Sequence, residues 1–214
     1  IIYMVKKKFC IIGKDNDFID LIKRNLTLFL GYFSDKNKIY KSISKKNWLG
    51  NHTKNNWLKI KKKYNPDIII AIDDSLTREK LFNSIYKKNC KNFYFKKSYI
   101  SQTTLPKLTK KRGIIVQDFV RIMSNVEIDN GVKINIGAQI HHDCKIGKFV
   151  TIAPKALLLG NVKIGEHSYI GANATIRQRI KIGKGVVVGA GAVVTKDVKN
   201  FDIVAGVPAR SIKN

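Results

Sequence analysis

Two imidazoles, a carboxylate and a thiol stand side by side at His141-His142-Asp143-Cys144, in a chain with only 4 histidines. A neutral imidazole is the side chain best suited to take a proton near pH 7, and an adjacent carboxylate raises its basicity and fixes its tautomer. Such a pair would serve a reaction in which an amine or hydroxyl is made nucleophilic. Two other readings stay open here: polar residues that cover an outer face, or a metal centre. For the latter the chain offers His141, His142 and His167 without a His-x-x-x-x-His spacing, so no metal is expected. Cys10, Cys90 and Cys144 are too few and too scattered for a disulfide framework, and none forms a Cys-x-x-Cys pair.

The element that must position these residues is a repeat. From Val116, steps of six give Ile122, Ile128, Ile134, Ile140, Ile146, Ile152, Leu158, Ile164, Ile170, Ile176, Ile182, Val188 and Val194. Two residues before each stands a smaller series that runs from Val120 through Ala138, Cys144, Ala156, Ser168 and Ala174 to Val198. A period of six fits neither the helical repeat of about 3.6 nor the strand repeat of 2. It fits a solenoid in which each hexad makes one flat side and a corner, with both series inside. Three sides per coil give about four and a half coils, and stacking at roughly 4.8 Å makes a prism about 20 Å long. Gly147, Gly165, Gly171, Gly183 and Gly189, each directly after an aliphatic, suit corners where a side chain would be strained. In this frame Ile140 points inward, which leaves the two histidines on a corner or outer face, and Cys144 is a compact apolar filler.

The first half reads differently. Phe9-Cys10-Ile11-Ile12 is a short buried strand that ends at Gly13, and residues 17–30 carry Phe18, Leu21, Ile22, Leu26 and Phe29 at helical spacing. Residues 31–35 form a second strand, 36–63 are irregular or weakly helical, 67–72 are the clearest strand, and a helix follows from Leu76 to about Tyr86, capped by Ser75 or Asp74. Such alternation makes a small Rossmann-like parallel sheet, with ligands at the carboxyl ends of its strands. The first turn, Gly13 to Asp17, has one glycine where a dinucleotide fingerprint needs three. The expected organisation is an α/β domain over 1–98, a basic connector over 99–112 in which Pro106 breaks regularity, and the solenoid over 113–214.

The formal net charge is +26, with 41 Lys+Arg against 15 Asp+Glu. The lysines are dispersed and travel with Ile and Asn, the mix an A/T-rich coding sequence gives, so the charge is not read as a nucleic-acid site. No apolar run reaches the length of a membrane span, and the opening residues lack the apolar stretch of a signal peptide. A cytoplasmic protein without a membrane partner is expected.

An α/β domain followed by hexads, with Ile140-His141-His142-Asp143-Cys144-Lys145-Ile146-Gly147, Gly160-Asn161-Val162-Lys163-Ile164-Gly165 and the tail Val204-Ala205-Gly206-Val207-Pro208-Ala209-Arg210, resembles the hexapeptide-repeat sugar acetyltransferases. Within them it is most similar to the bacterial enzymes that N-acetylate a nucleotide-linked 4-amino-sugar and to their sialic acid O-acetyltransferase relatives. The resemblance covers nearly the whole chain. It implies a left-handed parallel β-helix, a homotrimer, acetyl-CoA as co-substrate and direct transfer to a UDP- or dTDP-linked amino sugar. O-acetylation of a sialic-acid-like sugar is the alternative, and a noncatalytic basic scaffold the rival from another class. It further implies His142 as the general base with Asp143 beside it, His141 being the competing imidazole. Coenzyme contacts would come from Thr151, Gly171, Ala172, Gly189, Ala190 and Arg210, with Lys213 also near phosphate. The sugar nucleotide would meet Asp15, Asn16, Asp17, Ser34, Asp35 and Asp73. The first turn departs from the family's Gly-rich, His-containing pattern, and its carboxylates suit ribose hydroxyls better than diphosphate.

Overall fold

The computed structural model describes residues 8–13, 29–34, 49, 51, 53–84, 89–94 and 98–212. Two units divide it after Lys91. In the first, β1 (Phe9–Ile12), β2 (Phe29–Phe33) and β3 (Asp67–Ile70) pair in parallel in the order β2-β1-β3. The unbroken apolar run of β1 suits its central place, since a strand covered on both faces needs no alternation. The second strand opens earlier than the sequence suggests: Phe29 and Leu30 belong to it, and the Phe29 ring packs on Phe9 at 5.4 Å between centroids. The rest of the expected first helix lies outside the described residues.

A helix that the lysine-rich composition conceals, α1 (Lys54–Tyr64), precedes β3. Its signals lie at its ends. Thr53 accepts a hydrogen bond from the Asn56 N–H at 3.4 Å, Lys61, Lys62 and Lys63 complement the dipole in the last turn, and Asn65 closes the helix in the left-handed region. Trp57, fully buried and edge-on to Phe33, fastens it. After β3 comes α2 (Ser75–Asn83), whose N-cap is Asp74, accepting from the Thr77 N–H at 2.8 Å.

The second unit is the solenoid. Every member of the larger series from Val116 to Val194, and of the smaller one from Val120 to Ala192, is buried. The one hydroxyl among them, Ser168, donates to the Gly183 carbonyl at 2.7 Å and accepts from the Val186 N–H at 3.1 Å, which satisfies it inside an apolar core. Partners are parallel and, from Ile115 to Val194, lie eighteen residues apart, while the first-coil pairs are 22 apart and Val187 meets Ile203 after 16. On the first side Phe93–Tyr94, Ile115–Val116, Lys133–Ile134, Thr151–Ile152, Tyr169–Ile170, Val187–Val188 and Ile203–Ala205 stack in turn. The second side carries Tyr99–Ile100, Arg121–Ile122, Gln139–Ile140, Leu157–Leu158, Thr175–Ile176 and Val193–Val194, and the third Glu127–Ile128, Lys145–Ile146, Lys163–Ile164 and Lys181–Ile182.

The solenoid therefore begins about one coil before its repeat becomes legible, and residues 99–112 are part of it. In that first coil α3 (Leu105–Thr109) takes the place of a third-side strand beside Glu127–Ile128. Leu108 plugs the interior, while the Thr104 hydroxyl donates to the Met123 carbonyl at 2.7 Å and accepts from the Val126 N–H at 3.1 Å. At the other end Arg210–Ser211 folds back antiparallel on Ile203–Ala205.

The corners turn through left-handed residues at six-residue spacing, from Phe119, Asn125 and Gly131 to Arg179, Gly185 and Gly191, with φ between 55 and 71°. Each stands immediately before a small inward residue. The glycines that follow the aliphatics have another purpose: a Cβ on Gly147 would stand 2.7 Å from Glu166 N, so their smallness admits the next coil rather than a strained turn. Among the described residues no helix is long and apolar enough to cross a membrane.

Candidate active site

Ile140 and Cys144 both point inward, so the corner between them must lift its remaining residues outward. Asp143 is the left-handed residue of this corner, at φ 59°, a conformation that aspartate and asparagine adopt more readily than most residues. Its N–H donates to the Ser124 carbonyl one coil back, and the His142 carbonyl accepts from Asn161 N–H one coil on, both at 3.0 Å. So held, the His142 and Asp143 side chains meet at 2.7 Å between Nδ1 and Oδ2, each about half exposed. The hydrogen bond from His142, aided by Asn125, holds the Asp143 carboxyl below the usual carboxylate range. An ionised Asp143 accepts from Nδ1–H, which leaves the lone pair on Nε2. His141 continues the strand, its N–H donating to the Leu158 carbonyl at 2.9 Å, and its ring makes no hydrogen bond to the described residues.

Gly160, one coil beyond His142, is a site residue that the sequence reading left without a role. A Cβ there would stand 2.7 Å from both Cε1 and Nε2 of His142, so the imidazole lies over bare backbone. The signal was available: 160 is 142 plus one coil.

Cys144, next to the pair, is no nucleophile. It donates from Sγ to the Leu159 carbonyl at 3.2 Å, and burial pushes its thiol up to about 11. Burial likewise pushes Cys10 up to about 12. His167 sits on a different corner, stacked on Phe149 with centroids 5.5 Å apart and planes at 16°.

The proposed coenzyme residues scatter more. Gly171, Ala172, Gly189 and Ala190 share the corner between the first and second sides, an edge of the prism that His142 does not occupy. A Cβ on Gly171 would stand 2.6 Å from Ala190 N, and one on Gly189 3.0 Å from the Ala205 Cβ, so coil stacking already explains both glycines; Gly191, by contrast, faces open space. Thr151 is on the first side and not at this corner: it pairs with Lys133 and Tyr169 and is buried, and the residue one coil before Gly171 is Ala153. Arg210 is exposed on the returning strand, and Lys213 lies outside the described residues.

In the first unit Ser34 and Asp73 follow β2 and β3, on either side of the carboxyl end of the central β1, where the strand order reverses. Asp15, Asn16, Asp17 and Asp35 lie outside the described residues. Arg78 is a positioning residue with no sequence signal: fully buried in α2, it donates from one Nη to the Ile72 and Asp73 carbonyls at 2.8 and 2.9 Å. Burial lowers its guanidinium to about 10, against the raising influence of Asp73 and Asp74.

Comparison with known proteins gives this geometry a setting. Residues 125–160 and 161–196 match the bacterial transferase hexapeptide (six repeats) family. The acetyltransferase domain of PglB from Neisseria gonorrhoeae, solved with acetyl coenzyme A, superposes with a TM-score of 0.80 at 24% identity over 96% of this chain and 99% of its own. PerB from Caulobacter crescentus, solved with CoA and GDP-perosamine, gives 0.83 at 23% over 97% and 98%. WeeI from Acinetobacter baumannii gives 0.73 at 27% over 96% and 99%. Residues 125–196 are thus hexapeptide repeats of the bacterial transferase type, and the chain as a whole has the fold of the hexapeptide-repeat sugar acetyltransferases, an α/β domain followed by a left-handed parallel β-helix.

Proposed function

We propose that this protein is an acetyl-CoA-dependent N-acetyltransferase that acts, as a homotrimer in the cytoplasm, on the amine of a nucleotide-linked amino sugar. The observation that carries this reading is the His142–Asp143 pair, 2.7 Å apart at an open corner of a fold shared with enzymes solved with acetyl coenzyme A and with GDP-perosamine. The amine nitrogen attacks the thioester carbonyl while its proton passes to Nε2 of His142, and Asp143 stabilises the imidazolium that forms. Collapse of the tetrahedral adduct breaks the carbon–sulfur bond, and the imidazolium returns the proton to the departing thiolate. Transfer is direct: Cys144 and Cys10, buried and with raised pKa values, supply no thiolate for an acyl-enzyme.

Two further features support the trimer and the compartment. His142 and the Gly171–Gly189 edge are separated by the second side of one prism, a hexad that spans up to about 20 Å; a neighbouring copy would bring such edges together. The cysteines are buried and unbridged, as suits a reducing compartment. Light scattering at micromolar concentration should give three times the protomer mass. An active monomer would refute this part.

The decisive assay mixes the protein with acetyl-CoA and amino sugars linked to UDP, dTDP or GDP and follows free thiol. Release with a sugar amine and none with its hydroxyl counterpart is expected. Silence with every sugar, alongside DNA binding with a steep salt slope, would favour the scaffold reading. Because Asp73 stands at the carboxyl edge of the sheet, Asp73→Ala should raise the nucleotide-sugar KM by about tenfold or more and leave that of acetyl-CoA within about twofold. Equal shifts in both would move the sugar nucleotide off this edge.

A further inference from the structure

The third side of the prism carries charges where the other two carry a mixture. Its outward positions are Glu127, Lys145, Lys163 and Lys181, held in adjacent register by the parallel ladder. Across from them α3 and the residues after it contribute Lys107, Lys110 and Lys111, and together the two elements enclose a cleft of about 630 Å³. Six lysines thus line one cleft against two acidic residues, Glu127 and Asp129. Both carboxylates are already engaged, Glu127 by Lys145 at 3.3 Å and Asp129 by Lys111 at 3.1 Å. Lys163 and Lys181 form no ion pair with any described residue, although like charges on neighbouring strands repel. The cleft also adjoins the His142–Asp143 corner, since its third-side strand Lys145–Ile146 begins two residues after Asp143.

A stack of uncompensated cations on a concave floor lowers the cost of holding several negative charges close together. Neutral sugar or peptide would gain nothing from it. With one lysine per coil, on strands roughly 4.8 Å apart, two flexible ammonium groups can reach oxygens of neighbouring phosphates. We propose that the cleft between α3 and the third side is an anion site that holds the phosphate groups of a nucleotide co-substrate, with Lys163 and Lys181 as its principal ligands. The inference rests on the transferase reading, in which both the acetyl donor and the sugar nucleotide carry such groups.

The test uses the full-length protein and the double variant Lys163→Gln/Lys181→Gln, which keeps two exposed strand positions polar, with Lys148→Gln, outside the cleft, as a control. Calorimetric titration with inorganic pyrophosphate should show binding to the parent and control that weakens about tenfold or more in the double variant. In steady-state assays one KM should rise by a similar factor with kcat little changed. A rise for acetyl-CoA assigns the cleft to the coenzyme phosphates, and a rise for the sugar nucleotide assigns it to that diphosphate. Unchanged pyrophosphate affinity in the double variant, or no binding by the parent, overturns the proposal. So does a loss of duplex DNA binding with pyrophosphate affinity intact. If no sugar accepts acetyl, the transferase reading fails, while the pyrophosphate titration still decides the cleft on its own.

Discussion

His142→Ala is expected to lower kcat by about 10²–10⁴-fold, the usual worth of a positioned general base, while the acetyl-CoA KM changes little. The expectation follows from the division of labour at the corner. The Nδ1–H of His142 is committed to Asp143 at 2.7 Å, which orients the ring and leaves Nε2 basic. Asp143→Asn should cost less, because the amide oxygen can still accept from Nδ1–H but no longer stabilises an imidazolium. His141→Ala should cost least, since that ring has no carboxylate to fix its tautomer. The variants are comparable only at equal folded, assembled protein. If His141→Ala proved the more damaging, the base would be His141, and the 2.7 Å pair would be a surface ion pair.

Two glycine-to-alanine substitutions five residues apart should fail in opposite ways. At Gly165 an added Cβ would meet Gly183 C and Lys184 N, each at 2.5 Å, and main chain on a stacked coil has nowhere to go. Overpacking of this kind costs about 1–3 kcal/mol, which in a chain of this size lowers Tm by about 2–12 °C. At Gly160 the three atoms nearest the same methyl all belong to the His142 ring, the far end of a side chain that can swing away. Gly160→Ala should therefore leave Tm within about a degree and lower kcat by about tenfold or more. In a His142→Ala background the second substitution should have no further effect, because the group it displaces is gone. Melting curves and single-turnover rates on the parent and these four variants decide the matter. Additive losses in the double variant would show that Gly160 acts on something other than the base.

How much of this was legible beforehand differs along the chain, for physical reasons. The solenoid was, because each inward position faces the same geometry and so selects the same kind of residue; Ile122 through Val194 are buried to the last member. The first coil was not. In the coil of Phe93–Tyr94 and Tyr99–Ile100 the third side is α3 rather than a strand, and a helical side relaxes the demand for a hexad. In the first unit β1 and β3 declared themselves by unbroken apolar runs, whereas α1 is lysine-rich and polar on the whole and is fastened through Trp57 and its two caps. At the site, the His142–Asp143 neighbours could be read directly, being adjacent in sequence. Gly160 and Ala153 needed the coil length applied as arithmetic, and Arg78 acts through carbonyls, which a sequence does not display.

The two ends of the prism have a bearing on how the protein behaves at high concentration. A parallel stack of coils is by construction open at both ends, each terminal rung offering unpaired N–H and C=O groups to any other rung, as in a fibril. Here the third side of the opening coil is covered by α3, with Thr104 occupying the polar groups of Met123 and Val126, and at the far end the first side is covered by a strand of reversed direction. On those two sides a rung arriving in parallel finds an antiparallel neighbour at one end and a helix at the other. End-to-end polymerisation is thereby disfavoured, and association is left to the flanks.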